Sequence, residues 1–368
     1  MKILDKYVSK SIIVSCLYGV VVLSLVLILG KIFKEVLDLL INHDVPFKYV
    51  VLFFIYALPF SLTFTIPWGF LTALLLVFGR MSADNELIAL KANGISVPRI
   101  CIPVFALSIF LSGVCFWINI EISPRAERAI ENMVFRMMTS NPTAMFTADE
   151  VVDQLPDKRI YVGGKEGDHL KNIIVFELDP RANILKVVHA KEGELSNDNE
   201  HSQLLLKLHN ARFEERDEKN PGDIHKIRQG IVLKEGIFPI SLQSLYDQSN
   251  SARRIISYTL KELYQRLPTV PPQEQLITQV EISKRFSASL ACFAFALIAI
   301  PLGITTHRKE TSVGFALSLI IAFVYFFFII LANTFCENPA AHPVLLMWMP
   351  NILFISLGSV MFYRLSRR

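Results

Sequence analysis

Long apolar runs alternate with polar segments along this chain, and the lengths of the runs predict how the chain meets a membrane. Six runs are long enough to cross a bilayer as a helix, which takes about 20 apolar residues. They cover roughly 11–30, 49–79, 100–120, 287–306, 311–335 and 344–363. Pro59 and Pro67 interrupt the second run, so a kinked or tilted helix is expected there. The pattern therefore predicts a membrane protein with six transmembrane helices.

The long polar stretch between the third and fourth runs has a different period. Short segments rich in Val, Ile and Leu lie at 159–162, 172–178, 184–189, 203–208 and 230–234, separated by Gly, Pro, Asn and Asp. This pattern is typical of an all-β sandwich or barrel. The flanking segments 124–138 and 259–266 are expected to be helical.

The predicted fold class is therefore an α+β membrane protein, with a β domain inserted between two sets of three transmembrane helices. The first set occupies residues 1–122, the inserted domain with its helical flanks occupies 123–280, and the second set occupies 281–368.

The distribution of Lys and Arg predicts which side of the membrane each loop occupies. Six spans place both termini on one side, and that side carries Lys2, Lys6, Lys10, Arg80, Lys91, Arg99, Arg308, Lys309, Arg364, Arg367 and Arg368. The short loops on the opposite side carry Lys31, Lys34 and Lys48. Because the cytoplasmic loops of membrane proteins carry an excess of Lys and Arg, both termini and segment 79–99 are predicted to be cytoplasmic. The inserted domain is then extracytoplasmic.

A short polar segment lies between the second and third apolar runs, at 79–99, with the sequence GRMSADNELIALKANGISVPR. It contains residues that typically start and end a helix. Ser82 is predicted as the N-cap of a helix over 82–93. Asn93-Gly94 is a C-cap signal, and Pro98 starts the next helix.

The 82–93 helix is short, and a helix of this length is marginal alone in water. Asp84 and Glu86 lie in its predicted first turn, where carboxylates favour the helix dipole. Leu87, Ile88 and Leu90 form an apolar face. The helix is either a surface that a partner grips or a solvated hairpin tip.

Motifs of nucleotide binding and of hydrolysis are absent from the sequence. Gly164-Lys165 lacks the upstream Gly and the following Ser or Thr of a phosphate-binding loop, and neither HExxH nor GxSxG occurs. The eight histidines have no metal-ligand spacing. The chain has a net charge of only +4 and no basic arm, which disfavours nucleic acid as a partner. No catalytic residue, metal or cofactor is predicted.

The interiors of the first five apolar runs contain no Asp, Glu, Lys, Arg or His. Ion-coupled carriers normally hold such groups near the middle of the bilayer, so this composition disfavours a secondary carrier. A protein that handles lipids needs only an apolar cavity. A non-transporting scaffold for envelope assembly is a further alternative.

Lys31 and Lys34 share one helix face at the outer end of the first run, at headgroup depth. One interpretation is ordinary snorkelling, with Glu35 or Asp38 as a nearby partner. The other is a contact for the phosphate groups of an anionic lipid in the outer leaflet.

Three stretches and the layout of the whole chain together resemble the LptF/LptG family of permeases. The stretches are GRMSADNELIALKANGIS at 79–96, IPLGITTHRKETSVGFALSL at 300–319 and PVLLMWMPNILF at 343–354. The layout is three spans, a β insert and three spans. The opening LDKYVSK favours a G-type subunit, and the other stretches fit either type.

The resemblance implies a function and a set of partners. Family members are permease subunits of an ABC transporter that extracts lipopolysaccharide from the inner membrane and passes it to a periplasmic bridge. Two related subunits pair around a cavity and sit on a dimeric cytoplasmic ATPase, LptB, which supplies the ATP hydrolysis. The extracytoplasmic domain is a β-jellyroll that hands lipopolysaccharide toward LptC- and LptA-like jellyroll proteins.

The resemblance also implies roles for particular residues. The 82–93 helix corresponds to the coupling helix that docks in the ATPase, which makes Asp84, Glu86, Leu87 and Leu90 candidate coupling residues. The family's Ser-Glu pair corresponds to Asn85-Glu86, so the acidic contact is kept and the residue before it differs. The family's basic residues at the outer end of the first span correspond to Lys31 and Lys34.

Overall fold

The computed structural model describes residues 2–35, 47–140, 149–152, 158–167, 169–178, 184–198, 203–215, 228–241, 255–305 and 311–367. These residues fall into two compact units. Of the described residues, a helical unit contains 2–35, 47–130 and those from 255 onward, and a sheet unit contains those between 131 and 241.

The helical part of the chain contains long helices joined by short ones. Their bounds are α1 (Lys2–Glu35), α2 (Phe47–Ala83), α3 (Glu86–Ala92), α4 (Val97–Trp117), a π-helix (Ile118–Ile122), α5 (Ser123–Ser140), α6 (Leu260–Arg266), α7 (Pro272–Thr305), α8 (Thr311–Thr334), a 3-10 turn (Pro339–Ala341) and α9 (Pro343–Arg367). The flanking helices predicted beside the β domain are present as α5 and α6.

Six helical stretches of the described chain are long and apolar enough to cross a membrane. They are Ile3–Gly30, Val50–Ala83, Val97–Met133, Glu274–Thr305, Val313–Thr334 and Pro339–Arg367. The prediction of six transmembrane helices is confirmed. Pro59 and Pro67 both lie inside the continuous helix α2.

Helix α7 forms the centre of the helical unit. It packs against α2, α4 and α9, while α1 and α8 each pack against α2. Most of the α7 span is buried, whereas only 22% of the α1 span and 28% of the α9 span are buried. The exposed side chains on those outer helices are largely apolar, as expected for surfaces that meet lipid.

Two glycines allow the backbones of neighbouring helices to approach closely. A Cβ atom on Gly69 of α2 would lie 3.0 Å from the amide nitrogen of Val20 and 3.2 Å from the carbonyl oxygen of Cys16 in α1. A Cβ atom on Gly358 of α9 would lie 2.7 Å from the carbonyl carbon of Leu297 in α7. Small residues are favoured at such contacts because lipid-embedded helices associate mainly through close packing.

A buried polar cluster joins α7, α8 and α9. The amide of Asn351 donates hydrogen bonds to both the carbonyl oxygen and the hydroxyl of Ser287, each at 2.8 Å. The hydroxyl of Tyr325 donates to the same carbonyl oxygen at 3.1 Å. These bonds satisfy polar groups that would otherwise be costly in an apolar interior.

The described residues of the sheet unit form a six-stranded antiparallel sheet, and its strands are neighbours in the order of the sequence. Their bounds are β1 (Glu150–Val152), β2 (Lys158–Glu166), β3 (His169–Leu178), β4 (Ile184–Asp198), β5 (Gln203–Glu215) and β6 (Arg228–Ser241). The prediction of an α+β membrane protein with an inserted sheet domain is confirmed. Each predicted segment lies in a strand.

One face of the sheet is an apolar core built by alternate residues. Ile160 pairs with Val175, Val175 with Val188, and Val188 with Phe213, which makes an apolar row across four strands. The fully buried members of this core include Val162, Leu170, Ile173, Leu206 and Leu208. The strands extend beyond the predicted segments because polar residues alternate with apolar ones and lie on the other face.

Candidate functional site

Residues 84–99, which follow α2, form the candidate coupling site, and we call them the coupling segment. The residues just before this segment differ from the sequence prediction. Helix α2 continues to Ala83, so Ser82 lies in its last turn and is not an N-cap. Ser82 is buried, and its hydroxyl donates to the carbonyl oxygen of Ile304 at 3.0 Å. The predicted 82–93 helix is therefore divided, and only Glu86–Ala92 form α3.

The start of helix α3 was not indicated by the sequence, whereas its end was predicted. Asn85 takes the N-cap position in a left-handed conformation, with φ 58°, a region that Asn tolerates better than most residues. Asn93 is the C-cap and Gly94 follows with φ 80°, as predicted. The amide of Ile95 donates to the carbonyl of Leu90 at 3.1 Å, which closes the helix end.

The predicted apolar face of α3 is divided between the protein interior and the surface. Leu87 is buried in the same apolar cluster as Met81 and Val97, and Leu90 packs against that cluster. Ile88 has 56% of its surface exposed. Leu87 and Leu90 therefore hold α3 on the helical unit, and Ile88 is available to a partner.

The two acidic candidates have different surroundings. The hydroxyl of Tyr7 in α1 donates to the carboxylate of Glu86 and lies 3.2 Å from each of its oxygens. Asp84 is exposed in the turn before α3. The hydrogen bond from Tyr7 thus orients the Glu86 side chain, whereas Asp84 is exposed at the surface.

A second tie to α1 lies at the other end of the segment. The guanidinium of Arg99, at the start of α4, forms an ion pair with the carboxylate of Asp5 at 2.9 Å. Both side chains are only partly exposed. Sequence reasoning missed Tyr7 and Asp5, because nothing in the local pattern pairs them with residues 79 and 94 positions away.

These contacts leave several residues of the segment facing outward, and we call three of them, Asp84, Ile88 and Lys91, the outer face. All three residues are exposed. Ile88 and Lys91 are three positions apart on one side of α3, and Asp84 lies in the turn before that helix. A face with one acidic, one apolar and one basic group is suited to binding a protein surface of mixed character, and not a lipid tail.

The lysine pair of the first span lies only partly within the described residues. Lys31 and Lys34 belong to the last turns of α1, and their side chains lie outside what the structure describes. A lipid-headgroup contact there remains a hypothesis.

Among the described residues, no group of three or more His, Cys, Asp or Glu side chains is placed to hold a metal ion. The chemistry that the coupling segment supports is recognition: it presents charges and one apolar side chain on a short helix that is fixed to a transmembrane core.

Comparison with known proteins gives a consistent result over nearly the whole chain. The sequence profile of the family described as lipopolysaccharide export system permease LptF/LptG matches residues 6–364. The lipopolysaccharide export system permease protein LptF of Escherichia coli strain K12 is 19% identical over 367 residues, covering 98% of this chain and 94% of that protein. LptF of Shigella flexneri aligns with the same identity and coverage.

Proposed function

Because this chain belongs to the LptF/LptG family of lipopolysaccharide export permeases, we propose that it is a permease subunit of an ATP-driven exporter. It would extract lipopolysaccharide from the inner membrane and pass it to a periplasmic bridge. ATP hydrolysis would take place on a separate cytoplasmic ATPase dimer of the LptB type. A second LptF/LptG-type subunit would complete the cavity, and LptC- and LptA-like jellyroll proteins would receive the lipid.

The observation that carries the proposal is the packing of α3 against the apolar cluster of the transmembrane helices. Leu87 belongs to the apolar cluster that also contains Phe78 of α2 and Ile100 of α4. A displacement of α3 would therefore disturb the apolar cluster that these transmembrane helices share, because a close-packed interior transmits strain. Asp84 and Glu86 would supply acidic contacts to the ATPase, and Leu87 and Leu90 would transmit its movement.

The ties to α1 add a second route for the same movement. Tyr7 and Asp5 lie in the first two turns of α1, and they contact Glu86 and Arg99 at opposite ends of the coupling segment. A shift of the segment would therefore also reach the first transmembrane helix.

The lipid path is proposed to begin between the first and fifth spans of paired subunits. α1 exposes Leu17, Tyr18 and Val22, and α8 exposes Phe323 and Ile330. Such apolar surfaces can accept acyl chains without ionisable groups. The lipid would then pass along the apolar face of the sheet unit.

The topology proposed with this function has both termini and α3 in the cytoplasm and the sheet unit in the periplasm. It is supported by the excess of Lys and Arg on the side of the termini.

Copurification tests the proposal directly. The tagged chain is expressed at its native level, extracted in mild detergent and captured, and bound proteins are identified by mass spectrometry. We expect a nucleotide-binding subunit and a second permease subunit. Ile88→Glu in the outer face should lose the nucleotide-binding subunit, whereas Ile237→Glu in the exposed part of β6 should retain it. Recovery of the permease pair without any nucleotide-binding protein would contradict an ATP-driven function.

A further inference from the structure

A small cavity opens between α2, the π-helix and α7 of the helical unit. Its volume is about 30 Å³. Phe60 and Phe64 of α2 line one side, Asn119 of the π-helix lines another, and Lys284 and Arg285 of α7 line a third. π-helical turns occur frequently at functional sites. The cavity thus combines an apolar wall, an irregular helix and two cations.

The guanidinium of Arg285 is largely used by the protein itself, since four of its five N–H donors have partners. It donates to the carboxylate of Glu281 at 3.1 Å and to the carbonyl oxygens of Tyr258 at 2.7 Å and Ile256 at 2.9 Å. A further contact reaches the carbonyl oxygen of Ile255 at 3.4 Å. Arg285 therefore fixes the segment before α6 to α7, and it has little capacity left for a ligand.

The ammonium of Lys284 is used only in part. It donates to the other oxygen of Glu281 at 2.9 Å, and its side chain is 19% exposed. An ammonium group has three N–H donors, so two of them remain for a group in the cavity.

The charges that line the cavity do not cancel. Lys284 and Arg285 face the single carboxylate of Glu281, which leaves one positive charge among the lining residues. Holding such a charge in a partly buried site is costly unless an anion accompanies it.

The depth of Lys284 in the membrane indicates the source of that anion. Ile304 lies beside the coupling segment, where its carbonyl meets Ser82, and Lys284 lies 20 residues earlier on the same helix. At about 1.5 Å per residue this is about 30 Å, the thickness of the hydrocarbon core. Lys284 therefore lies at headgroup depth of the leaflet opposite the coupling segment.

We propose that this cavity binds the phosphate of a membrane phospholipid, with Lys284 as the cation that contacts it and Phe60 and Phe64 as the wall for its apolar part. A space of about 30 Å³ accommodates two or so oxygen-sized groups, which fits the two free oxygens of a phosphodiester. The remainder of the lipid extends outside the cavity into the bilayer. This site is distinct from the coupling segment, and it does not depend on the proposed ATP-driven function.

Native mass spectrometry of the full chain in mild detergent tests the site. The chain is titrated with phosphatidylglycerol, with diacylglycerol, which lacks the phosphate, and with phosphatidylglycerol in the presence of inorganic phosphate. We expect phosphatidylglycerol to bind and diacylglycerol not to bind. Lys284→Gln should weaken phosphatidylglycerol binding about tenfold, the effect of losing a hydrogen bond to a charged group.

Matched variants separate the site from general effects. Lys261→Gln, at an exposed position on α6, should bind lipid as the unmodified chain does. Lys284→Arg should retain binding because it keeps the charge. Ala288→Val, which narrows the cavity without removing a charge, should weaken binding even if Lys284→Gln does not fold. Equal binding by Lys284→Gln and the unmodified chain would overturn the site, and full competition by inorganic phosphate would overturn the lipid as its ligand.

Discussion

The hydroxyl of Tyr7 lies 3.2 Å from both carboxylate oxygens of Glu86, although 79 positions separate the two residues in the sequence. Glu86 is the acidic residue that the family resemblance assigns to ATPase docking. Its carboxylate has more than one acceptor position, so it can keep Tyr7 as a donor while it accepts from a cation of a partner. The first transmembrane helix and the candidate docking residue are therefore in direct contact.

Neutralising Glu86 should release the ATPase, whereas neutralising Asp84 should not. As a partner of the helix dipole, Glu86 would contribute about 0.3–1 kcal/mol. As one half of a desolvated charge pair, its loss would cost about 2–5 kcal/mol, because the partner charge is left buried. We expect Glu86→Gln to weaken ATPase retention on the purified complex about tenfold or more, and Asp84→Asn to have a mild effect. Equal retention by the two variants would argue against a docking role for Glu86.

Removing the Tyr7 hydroxyl should separate docking from transport. Tyr7→Phe keeps the ring and loses only the hydrogen bond to Glu86, so the ATPase should still bind. Lipopolysaccharide release from proteoliposomes should fall, because α1 is no longer tied to α3 at that point. Tyr264→Phe, at an exposed tyrosine on α6, is the control and should transport normally. Transport at the unmodified rate by Tyr7→Phe would show that the tie carries no movement.

Reversing the charges of Lys31 and Lys34 should weaken lipid transfer without affecting ATPase binding. Charge-assisted hydrogen bonds to phosphate are about twice as strong as neutral ones, so two carboxylates at headgroup depth would repel the lipid. The measurement is crosslinking of lipopolysaccharide to the Lys31→Glu, Lys34→Glu double variant. Copurified ATPase serves as the internal control, and crosslinking at the normal level would count against a headgroup role.

The sheet unit should be accessible from outside the cytoplasm. A cysteine introduced as Asn197→Cys in β4, in a chain whose partly exposed Cys336 is replaced by Ser, should react with an impermeant reagent in intact spheroplasts. This follows from the excess of basic residues on the side of the termini. Labelling that requires lysis would reverse the proposed topology.

The ion pair between Arg128 and Glu262 should make stability sensitive to acid. The hydrogen bond from Arg128 lowers the pKa of Glu262 from 4.5 to about 2. Because the folded pKa is the lower one, the contribution is fully present above about pH 4.5 and is lost as pH falls toward 2. The two side chains are 39% and 37% exposed, so the contribution is at most about 1 kcal/mol.

Thermal unfolding of the detergent-solubilised chain checks this between pH 6 and the acid limit. Glu262→Gln should unfold at a slightly lower temperature at pH 6 and should lose less stability than the unmodified chain on acidification. Parallel curves for the two proteins over that range would show that the pair contributes nothing measurable.

The sequence by itself determined the features that depend on near neighbours in the chain. The six apolar runs predicted the transmembrane helices, because burial in lipid requires an uninterrupted apolar stretch. The short Val- and Ile-rich segments predicted the strands, because alternate residues share one face of a sheet. Asn93, Gly94 and Pro98 marked a helix end and a helix start through their own backbone preferences.

Tertiary structure decided the features that depend on distant partners. Ser82 is a residue type that is common at N-caps. Its hydroxyl instead donates to the carbonyl of Ile304, 222 positions away, and α2 continues past it. Leu87 and Ile88 are adjacent apolar residues, yet only Leu87 meets the packed helices. Tyr7, Asp5 and Lys284 acquire their proposed roles from groups on other helices. The spacing of apolar residues shows which side of a helix or strand is apolar. The packing of the whole chain decides which element that side contacts.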